Sequence, residues 1–158
     1  MVDLNRQAEL RDAIELLYFA YRGFTERADR ILERRGLGRV HHRILYFIGR
    51  RPDIPVRGLL DVLAVSKQAL NAPLRQLLEM NLVAAVAGAE DRRVRKLRLT
   101  QEGQRLEAEL TGAQMRHLQA VFERAAPQDE RGWRHVMAEM AKAGHAGHGA
   151  AQAASSED

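Results

Sequence analysis

The chain has 158 residues, of which 46% are hydrophobic and 29% are charged, with a formal net charge of +4 and no cysteine. This composition is typical of one globular domain, and the lack of cysteine excludes disulfides and thiolate metal sites. No apolar run is long enough to cross a membrane, and the N-terminus lacks the pattern of a signal peptide. We therefore expect a cytoplasmic protein without membrane contact.

The first predicted element is a long helix that covers about residues 6 to 35. Apolar residues recur along it at steps of three and four, which is the pattern of one helix face: Leu10, Ile14, Leu17, Tyr21, Phe24, Ala28 and Ile31. Long amphipathic helices commonly bury such a face against another chain. Gly36 and Gly38 are expected to end the helix by supplying left-handed backbone.

A helix-turn-helix is predicted after a second, shorter helix that ends near Pro52 and Pro55. Two apolar helical stretches flank a tight turn at Ala64 and Val65, and the second has five residues predicted to point inward: Ala69, Leu70, Leu74, Leu77 and Leu78. In such a unit the start of the second helix enters the major groove of DNA. The candidate contacts there have side chains suited to bases and phosphates: Ser66, Lys67, Gln68, Asn71 and Arg75. The alternative is an ordinary helical hairpin with a polar outer face.

A basic β-hairpin follows, with strands predicted at about residues 82–86 and 94–99 and a tip between them. The hairpin concentrates charge in five candidate DNA contacts: Asp91, Arg92, Arg93, Arg95 and Lys96. Clustered cations repel one another, but they gain free energy by releasing counterions from a polyanion. We predict that Asp91 holds the Arg93 guanidinium in a bidentate pair and aims it at a minor groove. The alternative is a solvated run of charges.

Two further helices are predicted, one from Thr100 to about Ala125 and one that has Pro127 in its first turn. The last helix has an apolar side that carries Trp133, Val136, Met137 and Met140. Residues 144–158 lack periodicity and are predicted to be a disordered tail. The order of elements gives the fold class, which is mainly α with a small β-hairpin wing: a winged helix-turn-helix domain and a helical dimerisation region.

The hairpin resembles the wing of the multiple antibiotic resistance regulator (MarR) family, whose signature is D-x-R, a strand and then L-T-x-x-G. Here the matching segments are Asp91–Arg93 and Leu99–Gly103. The resemblance implies a homodimer on a palindromic operator, with residues 1–36 and 101–143 in dimerisation and residues 37–100 as the DNA-binding lobe. It assigns Arg93 to the minor groove. The chain departs from the family pattern at three positions: Ala72, Pro73 and Asn81.

The resemblance also implies a pocket for a small aromatic or carboxylated effector between the dimer helices and the DNA-binding lobe. Six residues are candidates to line it: Tyr18, Tyr21, Arg22, His41, His42 and Tyr46. Their alternative roles are in the core, in the dimer contact and at the start of the second helix. No set of convergent metal ligands is visible, so we expect no metal site and no cofactor.

The preferred hypothesis is a ligand-responsive, sequence-specific transcription regulator, most simply a repressor. A second hypothesis is an architectural DNA-binding protein that tolerates any sequence and has no effector. A third is a protein-interaction module whose basic hairpin binds an acidic partner. An enzyme is not expected, because the chain has no phosphate-binding loop, no nucleophile motif and no carboxylate pair in a recognisable setting.

Overall fold

The computed structural model describes residues 3 to 154, with side chains described as far as residue 144. The helices are α1 (Leu4–Glu33), α2 (Arg39–Arg50), α3 (Val56–Leu63), α4 (Lys67–Glu79), α5 (Gln101–Arg124) and α6 (Pro127–Ala154). The strands are β1 (Ile54–Pro55), β2 (Val83–Ala87) and β3 (Arg95–Leu99). The chain divides into two compact units, residues 1–117 and 118–158. No helix in the described part is long and apolar enough to span a membrane.

The core of the first unit lies where α2, α4, β3 and the first half of α5 supply aliphatic side chains. Its fully buried members are Leu32, Ile44, Leu45, Ile48, Leu59, Leu70, Leu77, Val83, Leu97, Leu106 and Leu110. The residues of α4 that face this core recur at steps of three and four, whereas Val83 and Leu97 belong to the sheet. Side chains from α4 and side chains from the sheet pack in one core, so the helix-turn-helix and the hairpin are parts of one packed lobe.

The sheet has three antiparallel strands in the order β1-β3-β2, one more than the sequence predicts. In the hairpin, Val83 pairs with Leu99 and Ala87 pairs with Arg95, within one residue of the predicted strands. The additional strand, β1, has only two residues, and Ile54 pairs with Leu97. Two residues are too few to show an alternating pattern, which explains why β1 was not predicted.

Helix α1 has most of its apolar surface exposed in the single chain. Its buried residues are Thr25, Ala28 and Leu32. The exposed apolar residues are Leu4, Leu10, Ile14, Leu16, Leu17, Tyr18, Phe19 and Tyr21. The predicted stripe therefore contacts the core only near the C-terminal end of the helix. As predicted, Gly36 adopts left-handed backbone beyond that end, with a φ of 68°. The same prediction for Gly38 was wrong, since Gly38 is extended with a φ of −134° and precedes α2.

Helix α4 has a defined residue at each of its ends. The Ser66 hydroxyl accepts a hydrogen bond from the Ala69 N–H at 3.1 Å, and Asn81 follows the helix with a φ of 58°. The helix is continuous through Pro73. The prediction that Ala69 points inward was wrong, since Ala69 is exposed on the turn that contains the cap. Because Pro73 has no N–H, the Ala69 carbonyl lacks its usual donor four residues along the helix.

The second unit contains the end of α5 and helix α6, which begins at Pro127 as predicted. Within it, the rings of Phe122 and Trp133 meet edge to face at 5.4 Å between centroids. Helix α6 continues to Ala154, where we had predicted a disordered tail from residue 144. The high helix propensity of the many alanines accounts for this difference. The last residues of the predicted tail, 155–158, lie outside the described residues.

Candidate nucleic-acid interface

The start of α4 presents a polar, exposed surface. A left-handed Ala64, with a φ of 54°, makes the turn from α3, and Ser66 caps the first turn of α4. Lys67, Asn71 and Arg75 recur every four residues and are exposed, as is Gln68. Leu70, Leu74 and Leu77 are the buried residues of α4, whereas all five predicted contacts are exposed. The geometry is that of a recognition helix.

The tip of the hairpin is closed by backbone hydrogen bonds. The Gly88 N–H donates to the Val94 carbonyl at 2.8 Å, and the Val94 N–H donates to the Asp91 carbonyl at 3.1 Å. A Cβ atom on Gly88 would lie 2.8 Å from the Asp91 carbonyl oxygen, so only glycine fits this turn. We call residues 83 to 99, which form β2, this tip and β3, the wing.

The role predicted for Asp91 is not the one that the structure shows. Its carboxylate accepts a hydrogen bond from the backbone N–H of Arg93 at 3.0 Å, and the two side chains form no ion pair. A carboxylate that accepts from the backbone N–H two residues later forms an Asx turn. This local hydrogen bond spans a shorter distance than an ion pair with the Arg93 guanidinium would, and it needs no ordering of the long arginine side chain. Asp91 therefore shapes the tip and leaves the Arg93 guanidinium exposed.

The basic residues of the wing differ in their surroundings. Arg92, Arg93 and Arg95 are exposed, and none of them forms an ion pair within the described part of the chain. Lys96 is half-buried, because it pairs with Val86 on one side and with Pro55 on the other. Strand alternation places Arg95 on the face of β3 that carries Leu97, at the end nearest the tip. The free positive charge is therefore concentrated towards the tip.

Arg98, the fifth cation of this run, is held by Asp53. Its Nε and Nη2 atoms both donate to the Asp53 carboxylate, the latter at 3.1 Å. These hydrogen bonds hold the pKa of Asp53 below its usual range. Asp53 has a φ of 67°, and its N–H donates to the Leu97 carbonyl at 3.1 Å. The pair connects β1 to β3, and no sequence motif indicates it.

The L-T-x-x-G segment joins the wing to α5 through tight contacts. The Thr100 hydroxyl donates to the Asn81 carbonyl at 2.7 Å and accepts from the Gly103 N–H at 3.0 Å. The Thr100 N–H donates to the Leu82 carbonyl at 3.1 Å. A Cβ atom on Gly103 would lie 1.9 Å from the Leu82 oxygen, so this position requires glycine. Thr100 and Gly103 thus each have a physical role in this join.

The six candidates for an effector pocket differ in their surroundings. A cavity of about 440 Å³ opens beside α1 and the start of α2, and Arg22 is the one candidate among its lining residues. The full lining is Phe19, Arg22, Gly23, Glu26, Asp29 and Arg39. Tyr18 stacks edge to face on Phe19, and the Tyr21 hydroxyl accepts from Arg43 at 2.9 Å. Tyr46 forms an edge contact with Phe47.

The two histidines have partners on different helices. The His41 Nε2 atom lies 2.9 Å from the Gln76 Oε1 atom of α4. The His42 Nε2 atom lies 3.3 Å from the Thr111 hydroxyl, which donates to Glu107 at 2.7 Å. Burial lowers the pKa of His42, and the negative charge of Glu107 offsets part of that effect. Both rings are buried polar groups with satisfied hydrogen bonds.

Asp29 and Arg39 are cavity residues that sequence reasoning missed. Arg39 donates from Nε and Nη2 to the Asp29 carboxylate, at 3.0 and 2.8 Å to its Oδ2 atom. These bonds raise the pKa of Arg39. Asp29 and Arg39 are 10 residues apart across a turn, so no helix or strand periodicity in the sequence predicts that they pair. Among the described residues, no group of three or more histidine and acidic side chains is arranged to hold a metal ion.

The capped recognition helix and the basic wing together define a winged helix-turn-helix DNA-binding protein. A family model described as the MarR family matches residues 35–94. The HTH-type transcriptional regulator PetP of Rhodobacter capsulatus is 46% identical over 132 residues, which span 84% of this chain and 80% of that protein. The chain belongs to the MarR family of transcription regulators.

Solved structures show the same fold. The MarR family transcription regulator SP03579 matches with a TM-score of 0.75 and 17% identity, over 87% of this chain and 91% of that one. The S. aureus MepR–DNA complex matches with a TM-score of 0.67 and 16% identity, over 82% of this chain and 95% of that one. NadR in complex with 4-hydroxyphenylacetate also has a TM-score of 0.67, with 21% identity over 80% and 89%.

Proposed function

We propose that the protein is a ligand-responsive transcription repressor that binds a palindromic operator as a homodimer. The observation that carries this proposal is the pairing of two exposed surfaces on one lobe: the polar start of α4 and the basic tip of the wing. The recognition helix has side chains that suit base edges, and Arg92, Arg93 and Arg95 suit phosphates or a narrow minor groove. No ion pair within the described residues neutralises these three arginines.

The partner in the proposed dimer is a second copy of the chain. Helix α1 exposes a set of large apolar residues that includes Leu10, Ile14 and Leu17. Contact between these side chains and water is unfavourable, and burial against a partner would lower the free energy. Helix α6 separately exposes Trp133, Val136 and Met140. A twofold dimer would present two recognition helices, which must lie about 34 Å apart to enter successive major grooves on one side of the duplex.

The proposed effector is a small aromatic or anionic molecule that binds beside α1. Phe19 supplies a ring and Arg22 supplies a positive charge, beside the Asp29–Arg39 ion pair, in a cavity of about 440 Å³. That volume suits a molecule of one or two rings. NadR was solved with 4-hydroxyphenylacetate, which has this chemistry. An effector would release DNA if it bound more tightly to a dimer with differently spaced recognition helices.

The test of this function is selection of bound duplexes from a random DNA pool by the full-length protein. We expect a palindrome whose half-sites lie about one helical turn apart. At fixed salt, affinity for this duplex should exceed that for a scrambled duplex by about a thousandfold or more. Equal affinity for the two would instead indicate an architectural DNA-binding protein, and the absence of DNA binding would favour the protein-interaction reading.

A further inference from the structure

Helix α4 is attached to the rest of the lobe mainly by apolar contacts. Leu70, Leu74 and Leu77 fill the core, and such contacts have little directional preference. Gln76 is different. Among the side chains that the structure describes, it is the one on α4 that forms hydrogen bonds with another element, one to His41 and one to Gly36.

The two bonds of Gln76 belong to a closed network at the corner between α1 and α2. The Gly38 N–H donates to the His41 Nδ1 atom at 2.9 Å. The proton of a neutral His41 therefore sits on Nε2, which donates to the Gln76 Oε1 atom at 2.9 Å. The Gln76 Nε2 atom then donates to the Gly36 carbonyl at 3.3 Å. Donors and acceptors match at every step, so the histidine tautomer and the amide orientation fix each other.

The corner that Gln76 contacts is itself well defined. Gly36 adopts left-handed backbone with a φ of 68°, and Gly38 precedes the first residue of α2. His41 is 8% exposed, so its ring is shielded from water that would compete for the hydrogen bonds. The network thus connects the end of the proposed dimerisation helix to the recognition helix through directional bonds.

Gln76 lies near the C-terminal end of α4, far from the N-terminal end that is proposed to contact bases. Lys67, at the start of the helix, is nine residues away, about 14 Å along the axis. A tilt of about 5° around Gln76 would move that end by about 1 Å, which is enough to spoil base contacts that need placement within about 0.5 Å. The bonds of Gln76 add a directional restraint to the packing of the apolar side chains.

We propose that Gln76 is a positioning residue for sequence-specific DNA binding, which it supports through His41 and Gly36 without contacting the DNA. Its bonds hold α4 at the angle that brings Lys67 and Gln68 to the base edges. This inference rests on the proposed function. Gln76 is expected to affect only the sequence-specific part of the DNA affinity. The contacts between the wing and the sugar-phosphate backbone of DNA do not depend on the angle of α4.

The test compares wild type with Gln76→Met, which keeps the length and helix propensity of the side chain and removes both hydrogen bonds. The probes are the duplex that wild type selects from a random pool and a scrambled duplex of the same composition. We expect about tenfold weaker binding to the selected duplex, with binding to the scrambled duplex within about twofold and both salt slopes unchanged. Gln104→Met is the matched control, because Gln104 is exposed on α5 and we expect no effect.

A parallel loss on both duplexes would show a merely structural role for Gln76, and no loss on either would show no role; each result overturns the proposal. Should Gln76→Met fail to unfold cooperatively, Gln76→Asn replaces it, since its shorter amide cannot span both partners and its polarity is retained. The same selective loss is then expected. Failure of the proposed function is distinguishable, because wild type would itself not discriminate between the two duplexes.

Discussion

Arg93 lies at the tip of the wing, and the contact that sequence reasoning assigned to its guanidinium is made by its backbone N–H instead. The Asx turn at Asp91 sets the path of the chain and leaves the arginine side chain exposed to solvent. In this account, exposed charge at the tip, more than a pre-formed ion pair, supplies the attraction to DNA. We expect the guanidinium to become ordered on binding, which would cost side-chain entropy but release counterions from the duplex.

Replacing Arg93 with alanine should therefore weaken binding to both specific and scrambled DNA. Each subunit loses about one phosphate contact, so the slope of log K against log salt should fall by about two for the dimer. Titration of labelled duplex at several salt concentrations measures this slope. Arg105→Ala is the control, because Arg105 pairs with Glu102 on α5. An unchanged slope for Arg93→Ala would mean that the tip does not contact DNA.

His42 makes stability depend on pH. Burial lowers its pKa in the folded protein, so the unfolded chain binds a proton more readily. Stability is thus fully present above the unfolded pKa of about 6.5 and decreases as pH falls towards the folded pKa, by at most about 1.4 kcal/mol per pH unit. We expect His42→Gln to flatten this dependence below about pH 6.5. Denaturant unfolding at fixed protein concentration measures it.

The matched control for this measurement is His117→Gln, since His117 is exposed on α5. Its unfolding free energy should follow the pH dependence of wild type. If His42→Gln and His117→Gln showed the same pH dependence, burial of the His42 ring would not be the cause.

At the scale of elements, the wing and α5 depend on a close approach of backbone at Gly103. Replacement by alanine forces its Cβ against the Leu82 carbonyl oxygen, where the space between the two atoms would be 1.9 Å. We expect a loss of about 1 to 3 kcal/mol in the free energy of unfolding. Gly132→Ala in α6 serves as the control, because its Cβ meets no atom within 4 Å. A loss no larger than that of the control would contradict this role.

The elements that were predicted well are those with local signals. Helix α4 has a capping serine at one end and Asn81 at the other. The alternation in β3 is visible because Leu97 lies between two cations and Leu99 follows the second of them. The tail was predicted poorly, because alanine-rich sequence lacks an apolar period yet has a high helix propensity. Lack of periodicity is therefore weak evidence against helix in such a segment.

The parts of the site that could not be predicted depend on contacts between distant residues. Asp53 meets Arg98 across 45 positions, and Gln76 meets His41 across 35. Neither pair has a periodic or motif-based signal, since the fold alone brings them together. For the same reason the cavity has Asp29 and Arg39 in its lining, and of the six predicted residues it has only Arg22.

At the scale of the whole molecule, the account requires that two copies act on one duplex. The first unit carries α4, the wing and the exposed face of α1, so it contains both the proposed DNA-binding surface and the apolar surface that we propose for the partner. A dimer held through such surfaces fixes the distance between its recognition helices. Specific binding should then depend on the spacing of the two half-sites as well as on their sequence.

The most direct measurement is the affinity of wild type for its selected palindrome and for the same palindrome with about five base pairs inserted at the centre, which is half a helical turn. The insertion moves one half-site to the opposite side of the duplex. The account predicts that affinity falls by about a hundredfold or more, towards the value for scrambled DNA. Equal affinity for the two duplexes would contradict binding by a dimer with two rigidly spaced recognition helices.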